Sequence, residues 1–235
     1  MKFYNYTKNN THEKSNPLYA VDFYCHSIRL QKNKDTDPEE IPYGNDVIFL
    51  TTSDYSQLKV GNYWIYQEYD LDSTMTIATP TNVYDSCYIS ETMTQKGNVY
   101  YKISAPPNTT YLSNVFLRDS ADCIVSLSGR IEFSMKNFST PLYTYNQITP
   151  PSDTICTIVT KMTDKDVWTA VPAGTFLTLN SKMNFEMHPP YDISGKQRVA
   201  NRKFSPRLGL ISTTKPFYVG SSSYKELRLV RYHLN

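Results

Sequence analysis

Several features that mark common classes of protein are missing from this chain of 235 residues. No stretch approaches the roughly 20 consecutive apolar residues that cross a bilayer as a helix. Residues 1–24 lack the ~7–15-residue apolar core of a signal peptide. Alanine is rare and long helical periodicity is absent, which disfavours an all-helical fold. Taken at face value, these absences predict a soluble chain without an export signal.

A strong charge of either sign is also missing. The chain has 24 Lys and Arg against 22 Asp and Glu, a net charge of +2, and the basic residues are dispersed among acids. Proteins that bind nucleic acid concentrate Lys and Arg on one face or stripe. We therefore predict no nucleic-acid partner, and we expect the many aromatic residues to fill a core.

The four cysteines, Cys25, Cys87, Cys123 and Cys156, form no C-x-x-C pair, so zinc or thioredoxin-type chemistry has no support. Four cysteines allow three disulfide pairings, among which the sequence does not choose, and we expect free thiols. Metalloprotease, nucleophile-elbow and phosphate-loop motifs are absent. The acids of Asp35–Glu39 lack the glycine of a calcium loop and indicate a solvated tether. We predict no metal and no cofactor.

What the chain has in abundance favours β-structure. It contains 20 Tyr and 10 Phe, and many short runs rich in aromatic residues and threonine alternate between turn signals. This pattern predicts an all-β domain over residues 46–235, an antiparallel, partly open barrel or strongly curved sheet with little helix. Residues 1–45 are polar and charged and read as a poorly ordered tail or tether, with an alternative edge strand at Leu18–Tyr24.

Turn signals predict where the strands reverse. Gly97-Asn98 and a two-residue loop at Ser128-Gly129 each indicate a hairpin, and Pro172–Gly174 indicates a third turn. The Pro- and Tyr-rich residues 137–152 are predicted to be a long connection.

Four short segments, with a fifth weaker one, resemble a known family. They are Leu58–Tyr66, Val171–Phe176, Leu208–Ile211 and Glu226–Leu234, with Phe116–Asp119 as the weaker match. In this order they are similar to the PLKVGNxWxY, VPAGTF, GVGLV and ELRLVRYHL motifs of uncharacterised lipoproteins and secreted proteins from Bacteroidetes and other Gram-negative bacteria. The resemblance covers about residues 55–235 and implies an antiparallel, partly open barrel or deeply curved sheet.

The same segments give expectations for single residues. Gly61, Gly174 and Gly209 should mark turns or close backbone approaches. Four large apolar residues should lie in the core and fix strand register: Trp64, Phe176, Leu210 and Leu229.

The resemblance also bears on Cys25. Members of the family begin with a lipoprotein signal and a lipidated cysteine, and Cys25 followed by the charged stretch to Glu40 looks like such a mature start. No small residue or apolar run precedes it, so an ordinary thiol is the alternative. Lipidation implies a periplasmic or outer-membrane-anchored protein that meets the membrane only through its lipid.

Candidate ligand-binding residues come from the aromatic strands. Trp64, Tyr66, Tyr100 and Trp168 are candidates for the lining of a concave apolar pocket, with ordinary core packing as the alternative. Glu68 follows the first two on the same strand face, where apolar surroundings would raise its pKa.

Charged residues supply the remaining candidates. Arg231 and His233 share a face of the last strand and would suit an anion. Glu68 has a structural alternative as well, in which it pairs with Arg118, Arg228 or Arg231.

These observations predict a non-enzymatic envelope β module that binds a lipid, a small apolar ligand or an envelope protein. One alternative is a hydrolase whose site is assembled near Glu68, Arg231 and His233. A purely structural interaction protein and a cytoplasmic β protein are the others.

Overall fold

The computed structural model describes residues 50–106, 115–149, 153–192, 198–215 and 224–235. These residues form one twelve-stranded antiparallel sheet and one short helix, which confirms the predicted all-β class. The predicted tail at 1–45, with Cys25 and the alternative strand Leu18–Tyr24, lies outside the described residues. Among the described residues, no helix combines the length and apolar character needed to cross a membrane.

The helix α1 spans Thr52–Ser56 and precedes all of the strands. The strands, in chain order, are β1 Tyr63–Leu71, β2 Ala78–Gln95, β3 Asn98–Ser104, β4 Val115–Ser120, β5 Cys123–Ser126, β6 Ile131–Ser134, β7 Tyr143–Thr149, β8 Asp153–Val171, β9 Gly174–Met187, β10 Arg198–Ser205, β11 Gly209–Lys215 and β12 Tyr224–His233.

Across the sheet the strands follow the order β6-β5-β4-β3-β2-β1-β12-β11-β10-β9-β8-β7. The chain therefore makes two meanders, β1–β6 and β7–β12, joined where β1 pairs with β12. The two outer edges are β6 and β7, and no backbone ladder joins them in the described part of the chain. The sheet curls so far that β6 packs near β8 and β9. The result is a nearly closed barrel, and we call the gap between β6 and β7 the seam.

Strand β1 shows why the chain folds this way locally. Its residues alternate between less and more buried positions, and Trp64 and Tyr66 are 4% and 1% exposed. Successive side chains of a strand point to opposite faces, so these two rings face the inside of the curled sheet. Leu229, the partner of Tyr66 on β12, is fully buried on the same face.

Two of the core clusters fill the inside, and both take residues from the two meanders. One centres on β1, β2, β11 and β12, and Phe176 packs against it. The other lies beside helix α1, where the rings of Tyr55 and Phe133 are 5.2 Å apart and those of Phe133 and Phe204 4.7 Å apart. Leu210 packs against this second cluster. The four predicted core residues are therefore buried or partly buried against the core.

All three predicted glycines have a positive φ, and Gly209, at +85°, begins β11. Gly61 has a φ of +94°, and a Cβ there would lie 2.5 Å from Asn235 Nδ2. Gly174 has a φ of +144°, and a Cβ there would lie 2.9 Å from the ring of Phe176. These positions precede or begin β1 and β9, so glycine sets where both strands start.

Three local predictions need correction. The first hairpin turns at Lys96 and Gly97, which both have positive φ, one residue before the predicted pair. The loop at Ser128-Gly129 has three residues, because Ser126 N bonds to Arg130 O and Gly129 adopts the left-handed conformation of a bulge. The predicted connection at 137–152 contains β7, whose alternating exposure suits an edge strand.

Candidate functional site

A cavity of about 140 Å³ lies inside the curled sheet. Its walls are mostly apolar and include Leu58, Trp64, Ile89, Leu117 and Phe204. The volume is close to the roughly 150 Å³ of an engineered apolar cavity in another protein that stays dry and binds benzene. A ligand held entirely inside it would thus be about the size of one aromatic ring.

The aromatic walls have their polar atoms bonded elsewhere. Trp64 Nε1 donates to the carbonyl oxygen of Leu208 at 2.7 Å. The hydroxyl of Tyr66 donates to the carbonyl oxygen of Leu210 at 2.8 Å. Leu208 directly precedes β11 and Leu210 lies within it, so both acceptors belong to the other meander. The two rings are therefore fixed in place and present apolar surface to the cavity.

One part of the cavity wall is charged. Glu132 is 5% exposed, and its two carboxylate oxygens accept from Arg130 Nε and Arg202 Nη1, both at 2.7 Å. Glu132 is an extra residue on β6, between the ladder pairs Ile124–Phe133 and Val125–Ile131. Such a bulge re-aims a side chain. All three charged residues line the cavity, and together they carry a net charge of +1.

Arg130 lies at the seam. Its guanidinium carbon is 5.0 Å from the ring centroid of Tyr143 and 5.9 Å from that of Tyr145, both on β7. Burial alone would lower the pKa of Arg130, but the carboxylate of Glu132 outweighs it and the pKa is raised. The side chain is 41% exposed, and Arg130 is the one exposed residue among the described residues that line the cavity. The cavity thus reaches solvent where this cation spans the seam.

A second charged cluster lies on the inner face but outside the cavity lining. Glu68 accepts from Lys215 at 2.6 Å and from Lys225 at 2.5 Å, and Lys225 also contacts Asp70 at 3.1 Å. Burial would raise the pKa of Glu68, but the two lysine bonds lower it overall. Burial does raise the pKa of Asp85, which is 4% exposed. Each carboxylate oxygen of Glu68 is thus already paired with a lysine.

Cys87, another titratable residue of the cavity lining, is unreactive at neutral pH. Burial, followed by the charge of Asp85, raises the pKa of the Cys87 thiol to about 12, so at neutral pH it is not a thiolate nucleophile. Cys87, Cys123 and Cys156 are free thiols. Within the described ranges, no group of three His, Cys, Asp or Glu side chains is arranged to hold a metal ion.

Comparisons with known proteins find distant likeness only. No family model matches the chain, and no curated protein matches its sequence significantly. A putative exported protein with a YmcC-like fold from Bacteroides fragilis is 10% identical, with a TM-score of 0.38, over 76% of this chain and 98% of that one. A putative lipoprotein from Parabacteroides distasonis is 14% identical, with a TM-score of 0.35, over 76% and 97%. The resemblance drawn from the short segments stays a prediction.

The structure brings together some of the predicted aromatic residues. Trp64 and Tyr66 both line the cavity. Tyr100 is buried outside the lining, where its hydroxyl accepts from Arg118 Nε at 3.2 Å and its ring lies under that guanidinium. Trp168 is 69% exposed and takes no part in the cavity.

The three residues of the hydrolase alternative are not brought together. Paired residues of neighbouring strands share a face, and Arg231 and His233 pair with residues of β1 that alternate with the inward-facing ones. Both are exposed, and His233 stacks on Tyr63. Glu68 lies on the inner face and pairs with two lysines, so the predicted arginine partners were wrong.

The charged part of the cavity was missed from the sequence. Arg130 directly follows a turn, and Glu132 sits between two apolar residues of β6. Strict alternation along β6 would place the carboxylate of Glu132 on the outer face. The bulge turns it inward instead. Arg202 carried no distinguishing signal in its strand.

Proposed function

We propose that this protein is a non-enzymatic binding module of the cell envelope that holds a small apolar ligand inside its curled sheet. The observation that carries the proposal is the apolar cavity, walled by rings whose polar atoms are bonded elsewhere. Pockets that bind small molecules combine a predominantly apolar lining with a few placed polar groups. Here Arg130, Glu132 and Arg202 are those groups.

A distinct observation weakens the hydrolase alternative. Its three residues lie on two faces of the sheet, so no proton can pass between Glu68 and His233 directly or through one water. Placement in the envelope rests on the resemblance of the short segments and on Cys25. Labelling cells with a fatty-acid probe tests the anchor, and Cys25→Ala should abolish the label.

The test of ligand binding uses benzene as the probe. The chain has two tryptophans, and Trp168→Phe leaves Trp64 as the only one, so that its emission can be excited selectively over that of the tyrosines. We expect benzene to change the fluorescence of Trp64 saturably and to raise the thermal midpoint with concentration, because binding to the native state stabilises it.

A matched pair of variants locates the binding. Leu117→Phe should fill the cavity and weaken benzene binding, whereas Val99→Phe, at a position 48% exposed, should leave it unchanged. Absence of saturable binding in the Trp168→Phe protein, or equal binding by both phenylalanine variants, would overturn the proposal.

A further inference from the structure

We infer that Arg130 and Arg202 recognise the anionic end of the ligand, and that the ligand is a monocarboxylate with a ring-sized apolar body that enters at the seam. This inference rests on the proposed function, because it assigns chemistry to one wall of the same cavity. It identifies a binding subsite at the β6 bulge.

Arg130 has donors left for such a ligand. Its Nε is the atom that bonds to Glu132, and in the part of the chain that the structure describes its two terminal nitrogens donate to no protein acceptor. A guanidinium offers five N–H donors in a planar fork that matches a carboxylate. The rings of Tyr143 and Tyr145 lie beside the guanidinium carbon, and stacking against aromatic rings leaves the edge of the guanidinium open.

Glu132 positions both cations. Each of its oxygens holds one arginine at 2.7 Å, so the two guanidinium groups stay beside the same side of the cavity. A buried charge needs a partner, and this carboxylate also keeps Arg202 paired when the ligand is absent. We expect Glu132 to act as a positioning residue that does not contact the ligand.

The net charge selects the class of anion. Among the described residues that line the cavity, two guanidinium groups and one carboxylate sum to +1, so a monocarboxylate balances their charge. A phosphate monoester, with a charge of about −1.5 to −2 at neutral pH, would leave excess negative charge against Glu132. The cluster around Glu68 does not compete, because Glu68, Asp70 and Asp85 outnumber its two lysines.

The route of entry follows from exposure. Arg130 is both the exposed member of the lining and the side chain that spans the seam to β7. A ligand carboxylate that meets Arg130 first can pass its apolar body inward beside Leu117 and Ile124. The charged end then stays at the solvent side, where it remains partly hydrated.

The experiment compares three probes of similar size: benzoate, benzamide and benzene, titrated by calorimetry at neutral pH. We expect the wild-type protein to bind benzoate about tenfold or more tightly than benzamide, since charge-assisted hydrogen bonds are roughly twice as strong as neutral ones. Added salt should reduce the preference, because the arginine is partly exposed.

Two arginine variants test the assignment. Arg130→Gln should make benzoate and benzamide bind about equally, while benzene binding is kept. Arg118→Gln is the matched control, because this arginine also lies over a tyrosine, at 5.6 Å, but outside the cavity lining, and it should keep the preference. Arg130→Lys retains charge without the fork and should keep only part of the preference; it also serves if the glutamine variant does not fold.

The outcomes separate the two proposals. Benzene binding with no preference of the wild-type protein for benzoate overturns the carboxylate subsite and leaves the cavity proposal standing. A preference that survives both Arg130 substitutions also overturns the assignment. Failure of all three probes to bind overturns both proposals.

Discussion

At the scale of single residues, buried threonines differ in whether their hydroxyls have hydrogen-bond partners. Thr160 Oγ1 and Thr213 Oγ1 are buried and have no hydrogen-bond partner among the described residues. Thr178 Oγ1 donates to the carbonyl oxygen of Val167 at 2.8 Å and lies 3.0 Å from Thr169 Oγ1. An unpartnered buried hydroxyl lowers stability, whereas a bonded one does not.

The difference predicts opposite effects of one substitution. Thr213→Val should raise the free energy of unfolding by about 1 kcal/mol, because it removes a desolvated hydroxyl that has no partner. Thr178→Val should lower it by about 1–2 kcal/mol, because it removes a bond and leaves a carbonyl oxygen less satisfied. Urea unfolding measures both, and equal shifts of the same sign would contradict the assignment.

The lowered pKa of Glu68 predicts that replacing this residue causes a pH-dependent loss of stability. Glu68→Gln should cost about 1–3 kcal/mol at neutral pH, since two charge-assisted bonds disappear. A carboxyl group with a lowered folded-state pKa stabilises above its unfolded value, near 4.5, and this stability is lost as the pH falls through the folded value. The difference between variant and wild type should therefore shrink below about pH 4.5. Glu91→Gln, in an exposed pair with Lys102, is the control and should change little at any pH.

The raised pKa of Asp85 predicts the reverse. Burial disfavours its ionised form, so the stability present below the ordinary value of 3.8 is lost as the pH rises through the higher folded-state pKa. Asp85→Asn should then stabilise the protein at neutral pH, with a gain that disappears as the pH drops below 3.8. Unfolding measured across this range should show opposite pH trends for the two substitutions. A destabilised Asn variant at neutral pH would refute the assigned cause.

At the scale of elements, the start of β1 depends on a glycine that is also tightly packed. Gly61→Ala should lower stability by roughly 2–3 kcal/mol, because its φ is positive and the new Cβ would displace the side chain of Asn235. Gly97→Ala, at a φ of +75° with no atom within 4 Å of the new Cβ, should cost about 1 kcal/mol. Thermal unfolding compares the two, and a larger loss at Gly97 would contradict the role of the contact.

The strands also show how far sequence patterns reach. The alternation around Trp64 and Tyr66 predicted their burial, because a strand has a period of two and β1 pairs with β2 in regular register from Tyr63 to Gln67. Glu132 defeated the same reasoning, because a bulge inserts one residue and reverses the facing of what it carries. Trp168 was misplaced for another reason: its hydrophobic type suggests burial, but its position near the end of a long hairpin leaves it in solvent.

The whole molecule is held together by contacts between the two meanders. We predict that a protease site inserted between Ser139 and Thr140, both exposed, can be cleaved without separating the halves. The β1–β12 ladder and the shared core clusters should keep the fragments together on gel filtration, and denaturant should separate them. Adding Leu229→Ala, which removes fully buried contacts at that ladder, should promote separation. Fragments that part under native conditions would show that the connection itself is required.

At the scale of the whole molecule, the sequence predicted the fold class but not the strand pairing that joins the two meanders. Short strands and turns indicated an antiparallel barrel or curved sheet, and most neighbours in the sheet are neighbours in the chain. The pairing of β1 with β12 has no local signal, because it depends on side chains far apart in sequence. The charged wall at the seam depends on that pairing, since Glu132 of one meander contacts Arg202 of the other.

Because β1 pairs with β12, the two partners of this ladder are synthesised far apart in time. Asn235 N bonds to Asn62 Oδ1 across a separation of 173 positions. At ribosomal speeds of about 5–20 residues per second, roughly 10–30 s pass between the emergence of these two partners. Throughout that interval β1 has one unpaired edge and two large aromatic rings without their final cover. We expect the nascent chain to need a holding chaperone until its last strand arrives.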